Sequence, residues 1–241
     1  MTIKRHYIEV SGISVEIVRK EIKNLHLGVY PPEGRVRVAV PLKIDDEAVR
    51  LAVISKLGWI KRKQKEFAEQ PRQSQREMVS GESHYYLGQR YRLNVIEHSG
   101  ANLVRLNRKT IDLYVRHGAD QKRREAVLGQ WYRQQIKNLI PELLTKWEPV
   151  VGVHADEWGV KKMKTRWGTC NIGAKRIWLN LELAKKPIQC LEYILVHELV
   201  HLLERRHNDR FRDLMDKFMP QWRLQRDVLN KAPLGHEEWG Y

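Results

Sequence analysis

Residues 188–203 read IQCLEYILVHELVHLL, and this stretch decides the organisation of the C-terminal half of the chain. Apolar side chains such as Leu191 and Ile194 recur at helical spacing, which predicts a helix with a buried face. Within this helix, His197 and His201 are four residues apart and therefore lie about 40° from each other around the axis. Both imidazoles can consequently reach a single metal ion.

Glu198 follows His197 directly and projects roughly 100° away from it around the helix. This places the carboxylate beside a metal ion rather than on it, which is the position of a general base for a zinc-activated water. The pattern His-Glu-x-x-His also occurs by chance in ordinary helices, so other parts of the sequence have to support it. A catalytic zinc has three protein ligands, and the third must be found elsewhere in the chain.

Two residues downstream compete for the place of the third ligand. Glu204 lies on the same helix face, but on a straight helix its backbone is about 10 Å from that of the first histidine. We therefore interpret Glu204 as a residue that supports the site or as a surface charge. His207 reaches the metal only if the helix ends near residues 205–206, and Asn208 is a typical start for a new helix. The sequence thus predicts His207 as the third ligand.

The N-terminal part of the chain has the pattern of a small β structure. Apolar residues alternate over residues 13–18, 25–29 and 36–40, which predicts a β-meander. Helical spacing from Asp45 to about Pro71 then predicts one long helix. Strand-like composition returns over residues 85–96, 103–106 and 111–115.

The C-terminal part is predicted to be mainly helical and to contain the chemistry. A long helix is predicted over 121–147, a short β region over 160–180 and a further helix over 208–219. The fold class is therefore α+β. We divide the chain into a β-rich region, 1–118, and a catalytic region, 119–241, and no internal repeat is evident.

Composition limits the class of protein. No stretch approaches the ~20 apolar residues that cross a bilayer, and the N-terminal residues lack the apolar run of a secretory signal. Two cysteines, Cys170 and Cys190, are too few for a disulfide framework, so we expect a cytoplasmic protein. The net charge of +15 favours contact with anions, including nucleic acid and nucleotides, although a basic solvated surface explains it equally well.

Several segments together resemble one known family. Residues 197–211, HELVHLLERRHNDRF, resemble the YgjP-like metallopeptidases, which are relatives of the SprT and WLM groups. Residues 165–171 (TRWGTCN) and 177–180 (IWLN) match that family's second signature. Residues 219–222 (MPQW) resemble its closing motif, and Tyr86-Leu87-Gly88 is a weaker match. The resemblance covers most of the chain.

The resemblance implies a zincin-like catalytic core that hydrolyses peptide bonds. Zinc would be bound by the three histidines at 197, 201 and 207, with Glu198 as the base. Thr169 stands where the family has a serine, which is a mild departure. From its place in the signature, Arg166 is the first candidate for the oxyanion donor, followed by Tyr193 and His84, whereas a structural ion pair is the alternative role of Arg166.

Two residues of the second signature have open roles. Cys170 is either a metal ligand or, more commonly, a thiol packed in the core. Gly168 suggests a place where a substrate strand approaches the backbone closely.

Two other functions are compatible with the sequence. The basic charge favours a metal-dependent hydrolase of a nucleotide or another phosphorylated small molecule, although Mg²⁺ sites for such substrates are usually rich in carboxylates. A nucleic-acid-associated protein with a structural zinc is the second alternative. A structural zinc requires four protein ligands, and no fourth cysteine or histidine is obvious near the three histidines.

Overall fold

The computed structural model of the protein describes residues 5–30, 33–69, 76–163 and 166–231. Its fold has the predicted α+β class. Its contacts divide it into two compact units, with the division near residue 72. The predicted boundary between residues 118 and 119 is therefore moved toward the N-terminus. The reason is that the strands between residues 83 and 115 share one hydrophobic core with the helices that follow them.

The first unit contains a four-stranded mixed sheet. Its strands are β1 (Arg5–Val10), β2 (Ile13–Lys20), β3 (His26–Tyr30) and β4 (Arg35–Pro41), in the order β1-β2-β4-β3. Because β4 pairs in parallel with β2 and lies between β2 and β3, the predicted β-meander is wrong. The central position of β4 buries Val36, Val38 and Val40 completely.

Two helices complete the first unit, where one long helix was predicted. Helix α1 (Asp46–Ile54) begins at Asp45, whose carboxylate accepts the Ala48 N–H, and helix α2 (Leu57–Glu69) follows it. The break occurs at Ser55, whose hydroxyl donates to the Ala52 carbonyl at 2.8 Å. A serine that hydrogen-bonds locally in this way favours the end of a helix over its continuation.

The second unit begins with a sheet that repeats the topology of the first. Its strands are β5 (Ser83–Tyr86), β6 (Gln89–Glu97), β7 (Leu103–Leu106) and β8 (Thr110–Val115), in the order β5-β6-β8-β7 with β6 parallel to β8. The first hairpin of each sheet turns on two residues with positive φ, Ser11-Gly12 and Leu87-Gly88. The repeat lies in strand pairing rather than in side-chain identity, which is why it was not evident in the sequence.

The remaining elements of the second unit carry the three histidines that the sequence predicts as metal ligands. Helix α3 (Gln121–Val151) ends at Gly152, which is left-handed. A three-stranded sheet follows, with β9 (Glu157–Lys161), β10 (Gly168–Asn171) and β11 (Arg176–Asn180) in the order β10-β11-β9, so β10 is an edge strand. A 3₁₀ helix (Leu181–Lys185) then leads to α4 (Ile188–Val200), α5 (Asp209–Phe218) and α6 (Trp222–Lys231), the last of which was not predicted.

Helix α4 lies in the middle of the larger core, with Leu191, Leu195 and Leu199 completely buried. Its first turn is located by the β5–β6 hairpin, because a Cβ on Gly88 would lie 2.8 Å from Pro187 Cγ. Burial on most sides gives this helix a rigid position in the core. Within the described ranges, no helix is both long and apolar enough to cross a membrane.

Candidate metal centre

Three histidines converge beyond the C-terminal end of α4. The side chains of His197, His201 and His207 each offer a nitrogen, and these nitrogens all lie within 4.8 Å of one another. The Nε2 atoms of His197 and His207 are 3.0 Å apart. Two nitrogen ligands of a tetrahedral zinc lie about 3.3 Å apart, given zinc–nitrogen distances of ~2.0–2.1 Å. The spacing of the histidines therefore fits a zinc-sized ion.

His207 reaches the other two histidines because α4 ends earlier than predicted. The predicted helix continued to Leu203, but α4 ends at Val200, with His201 as its C-cap. The chain then turns tightly, with the Leu203 N–H donating to the Val200 carbonyl at 2.9 Å. Asn208 starts α5 as expected, since its side chain accepts the Phe211 N–H at 3.0 Å.

Glu204 orients the second histidine through its backbone. Its carbonyl oxygen lies 3.0 Å from Nδ1 of His201, so this nitrogen donates there and Nε2 is left for a metal. The Glu204 carboxylate accepts the backbone N–H of Arg206 at 3.0 Å, which stabilises the turn between the histidines. Glu204 thus supports the site and is not a member of the ligand cluster.

Phe211 packs against all three histidines, a role that was not predicted from the sequence. Its ring centroid is 4.9 Å from that of His197 and 4.8 Å from those of His201 and His207. The side chain is only 3% exposed. An apolar residue in the otherwise charged first turn of helix α5 was the available signal. Phe211 restricts the positions of the three imidazoles by contact.

The electrostatic surroundings keep the site ready for a cation. Burial, together with the two neighbouring histidines, lowers the pKa of His197 to about 3, and burial lowers the pKa of His201. Neutral imidazole is the form that binds metal. Among the described residues, the buried Nδ1 of His197 has no hydrogen-bond partner. A buried polar atom without a partner costs free energy, and it is the ring nitrogen other than Nε2, which lies 3.0 Å from Nε2 of His207.

Glu198 lies beside the histidines in a buried position. It is 4% exposed, and burial raises its pKa to about 8, although the charge of Arg166 opposes this rise. Its carboxyl group packs against the backbone of Gly168, since a Cβ there would lie 2.5 Å from Oε1. The space at Gly168 is therefore occupied by Glu198, and the approach of a substrate strand to this edge of the sheet stays a prediction.

The three histidines line a large cleft of about 1120 Å³. One wall is the continuous segment 166–173, which contains β10, and the other walls come from α4 and α6. Of the predicted oxyanion donors, Arg166 and Tyr193 line this cleft. His84 is not among the lining residues, since it is buried against Glu82 at 3.2 Å.

Cys170 lines the cleft but is not part of the ligand cluster. Burial and the charge of Glu198 raise the pKa of its thiol to about 11. The position of Cys170 outside the histidine cluster decides its role, because a bound metal would itself deprotonate a coordinating thiol. The described residues therefore favour packing as the role of Cys170.

Comparison with known proteins identifies the type of domain. The family model described as "YgjP-like, metallopeptidase domain" matches residues 23–232. Among solved structures, the crystal structure of the metallopeptidase zymogen of Pyrococcus abyssi abylysin is similar, with 20% identity and a TM-score of 0.35 over 37% of this chain and 90% of that chain. No curated protein matches the chain.

Proposed function

Because the chain belongs to the YgjP-like family and is a metallopeptidase, we propose that it hydrolyses peptide bonds with a zinc ion bound by His197, His201 and His207 and with Glu198 as general base. One observation carries this proposal. Three imidazoles converge at the cleft, and the residue next to the first of them is a buried carboxylic acid.

Zinc is the metal that the donor set favours. Three imidazole nitrogens suit zinc, whereas Mg²⁺ and Ca²⁺ prefer oxygen ligands. When bound, zinc supplies Lewis acidity, which lowers the pKa of water toward ~7 and polarises a carbonyl group. Three protein ligands rather than four are typical of catalytic zinc.

Glu198 is placed to move the proton of the reaction. The carboxylate accepts a proton from the attacking water and returns it to the leaving nitrogen of the peptide. Burial raises its affinity for a proton, and a cation held by the neighbouring histidines opposes this by direct attraction of the carboxylate. Contact with Gly168 holds the carboxyl group in one position during both transfers.

Arg166 remains our proposal for the oxyanion donor. It lines the cleft, its charge acts on Glu198, and no carboxylate of the described residues forms an ion pair with it. A guanidinium that is free of such a partner can donate to developing negative charge on the substrate. Tyr193 is the second candidate, because it lies one turn before His197 on the cleft side of α4.

The structure gives little support to the two alternative functions, a nucleotide hydrolase and a nucleic-acid-associated protein with a structural zinc. Within the described ranges, the candidate metal ligands are the three histidines, and no cluster of carboxylates accompanies them for Mg²⁺. The lack of such carboxylates among the described residues argues against a nucleotide hydrolase. A structural zinc would require a fourth protein ligand, and the described ligand cluster has three members.

Peptide hydrolysis by the Glu198→Gln variant tests this proposal. The variant should retain zinc and lose at least about 100-fold in kcat, because general base catalysis typically contributes 10²–10⁴-fold. A mixed peptide library analysed by mass spectrometry supplies the substrates, and wild-type protein with and without chelator supplies the reference. Unchanged peptide cleavage by a zinc-loaded Glu198→Gln protein would contradict the assigned role.

A further inference from the structure

The cleft is lined by positive charge that the proposed mechanism uses only in part. Three arginines, Arg166, Arg205 and Arg226, line it, and Glu198 is the carboxylate among the described lining residues. Arg205 is exposed and forms no ion pair with a described carboxylate. A concave surface with this charge raises the local concentration of anionic groups.

Arg226 is held in position by its neighbours on α6. Its guanidinium lies 5.1 Å from the centre of the Trp222 ring and also hydrogen-bonds to Asp227 at 3.3 Å through Nε and one terminal nitrogen. Trp222 in turn stacks on Tyr193, with ring centroids 6.3 Å apart. Arg226 therefore faces the part of the cleft beside Tyr193 and keeps one terminal nitrogen for a ligand.

Arg205 and Arg226 lie toward opposite ends of the cleft. Arg226 approaches the first half of α4 at Tyr193, whereas Arg205 follows the end of that helix, between His201 and His207. Tyr193 and His201 are separated by about 12 Å along the axis, at ~1.5 Å per residue. Along the direction of α4, His197 thus lies between the level of Tyr193, near Arg226, and the turn that carries Arg205.

The edge strand β10 gives a direction to a bound peptide. Gly168 lies against Glu198, and Ile172 shares a second surface pocket with Leu202, so β10 runs beside α4 in the same direction. A peptide that adds to this edge would lie along the cleft from one arginine to the other. At ~3.3 Å per residue, the ~12 Å of α4 between Tyr193 and His201 corresponds to roughly four residues of extended chain.

We propose that the cleft selects peptides with acidic residues on both sides of the scissile bond, and that Arg205 and Arg226 each bind one of the two carboxylates. The proposal rests on the peptidase function proposed above and defines its substrate class. Arginine is suited to this role because its guanidinium stays charged and offers several donors to a carboxylate. Arg205 can use a pair of them, and Arg226 can use the terminal nitrogen that Asp227 leaves open.

Four peptides that differ at two positions test the proposal. They carry Glu or Gln at the second residue on each side of the scissile bond of a cleaved library peptide. With zinc-loaded wild-type protein, we expect kcat/KM to rise about fivefold for each Glu, as for an exposed charge pair worth up to ~1 kcal/mol. The gain should shrink at high salt because exposed charges are screened.

Variants that each change one arginine show which arginine recognises the Glu on which side of the scissile bond. Arg205→Gln should remove the preference for Glu on one side of the bond, and Arg226→Gln should remove it on the other. Turnover of the peptide with two Gln residues reports that each variant is folded and active. Arg108→Gln, an exposed arginine outside the cleft in the β7–β8 turn, serves as the control and should keep both preferences.

Two results would overturn the proposal. The first is equal kcat/KM for all four peptides with wild-type protein, and the second is an unchanged preference for Glu in both arginine variants. In either case, cleavage of the neutral peptide would leave the peptidase function intact. Absence of cleavage of every peptide by zinc-loaded protein would instead contradict the function itself and this inference with it.

Discussion

The backbone of Gly168 lies directly against the carboxyl group of Glu198. A Cβ built on Gly168 would be 2.5 Å from Oε1, 2.8 Å from Cγ and 2.9 Å from Cδ of that side chain. These separations are shorter than real contacts allow, so any side chain at position 168 must displace the carboxyl group or separate β10 from α4. The glycine of the second signature therefore leaves the space that the carboxyl group of the proposed general base occupies.

We predict that Gly168→Ala lowers kcat about 100-fold and leaves zinc bound. A displacement of about 1 Å at a reacting group is enough for a loss of this size. Steady-state peptide hydrolysis and elemental analysis of the purified variant measure the two effects. Gly173→Ala is the matched control, because this glycine also lines the cleft but a Cβ there would meet only Asn171 Oδ1, at an ordinary 3.7 Å. Equal activity of both variants would show that the contact does not matter.

We predict that Phe211→Ala weakens metal binding about tenfold, in the range found when groups that orient metal ligands are removed. The phenyl ring touches all three imidazoles, so its loss allows them to move independently. Competition with a zinc chelator measures the dissociation constant. Phe211→Leu, which preserves an apolar contact, should be less affected. If the alanine variant binds zinc as tightly as wild type, the packing does not organise the ligands.

We predict that Gly88→Ala destabilises the second unit by about 1–3 kcal/mol. Gly88 has φ of 80°, and a Cβ would press on Pro187 at the start of α4. Urea unfolding measures the change in the free energy of unfolding. Gly129→Ala is the control, because this glycine lies inside α3 with nothing within 4 Å of a Cβ. That change should stabilise the helix by up to about 1 kcal/mol, and a similar effect of both variants would contradict the prediction.

We predict that stability falls as the pH is lowered from about 6.5 toward 4, in part because of His84. Burial lowers the pKa of this histidine to about 4, so the unfolded chain binds the proton more tightly than the folded one. Between the two pKa values the unfolded chain takes up a proton that the folded protein does not, and this lowers the free energy of unfolding. The stabilisation is therefore complete above the unfolded pKa, and up to roughly 3 kcal/mol of it is lost on acidification. Urea unfolding at pH 7 and pH 4.5 measures the loss. It should be smaller in His84→Gln, while His117→Gln, which alters an exposed histidine, should behave as wild type.

The ligands of the proposed metal site were accessible from the sequence because they depend on local rules. The spacing of His197 and His201 is set by helix geometry alone, and the position of His207 follows from a helix end before Asn208. Both rules act over fewer than fifteen residues. They required no knowledge of how distant segments pack.

The contacts that complete the site depend on tertiary structure and were not predicted. Nothing near Gly168 in the sequence indicates that Glu198 lies against it, because the contact joins an edge strand to a helix thirty residues later. The parallel pairing of β2 with β4 is of the same kind, since alternation of side chains specifies strands but not their partners. The domain boundary was misplaced for the same reason.

Zinc content of the wild type and of His207→Ala tests the central claim most directly. Elemental analysis of protein purified without chelator should give about one zinc per chain for the wild type, as expected for a single three-histidine site. The variant should contain much less zinc and remain folded, because His207 is exposed and lies outside the core. Absence of zinc from wild-type protein, or equal zinc in both proteins, would contradict the assignment of these three histidines as the catalytic metal site.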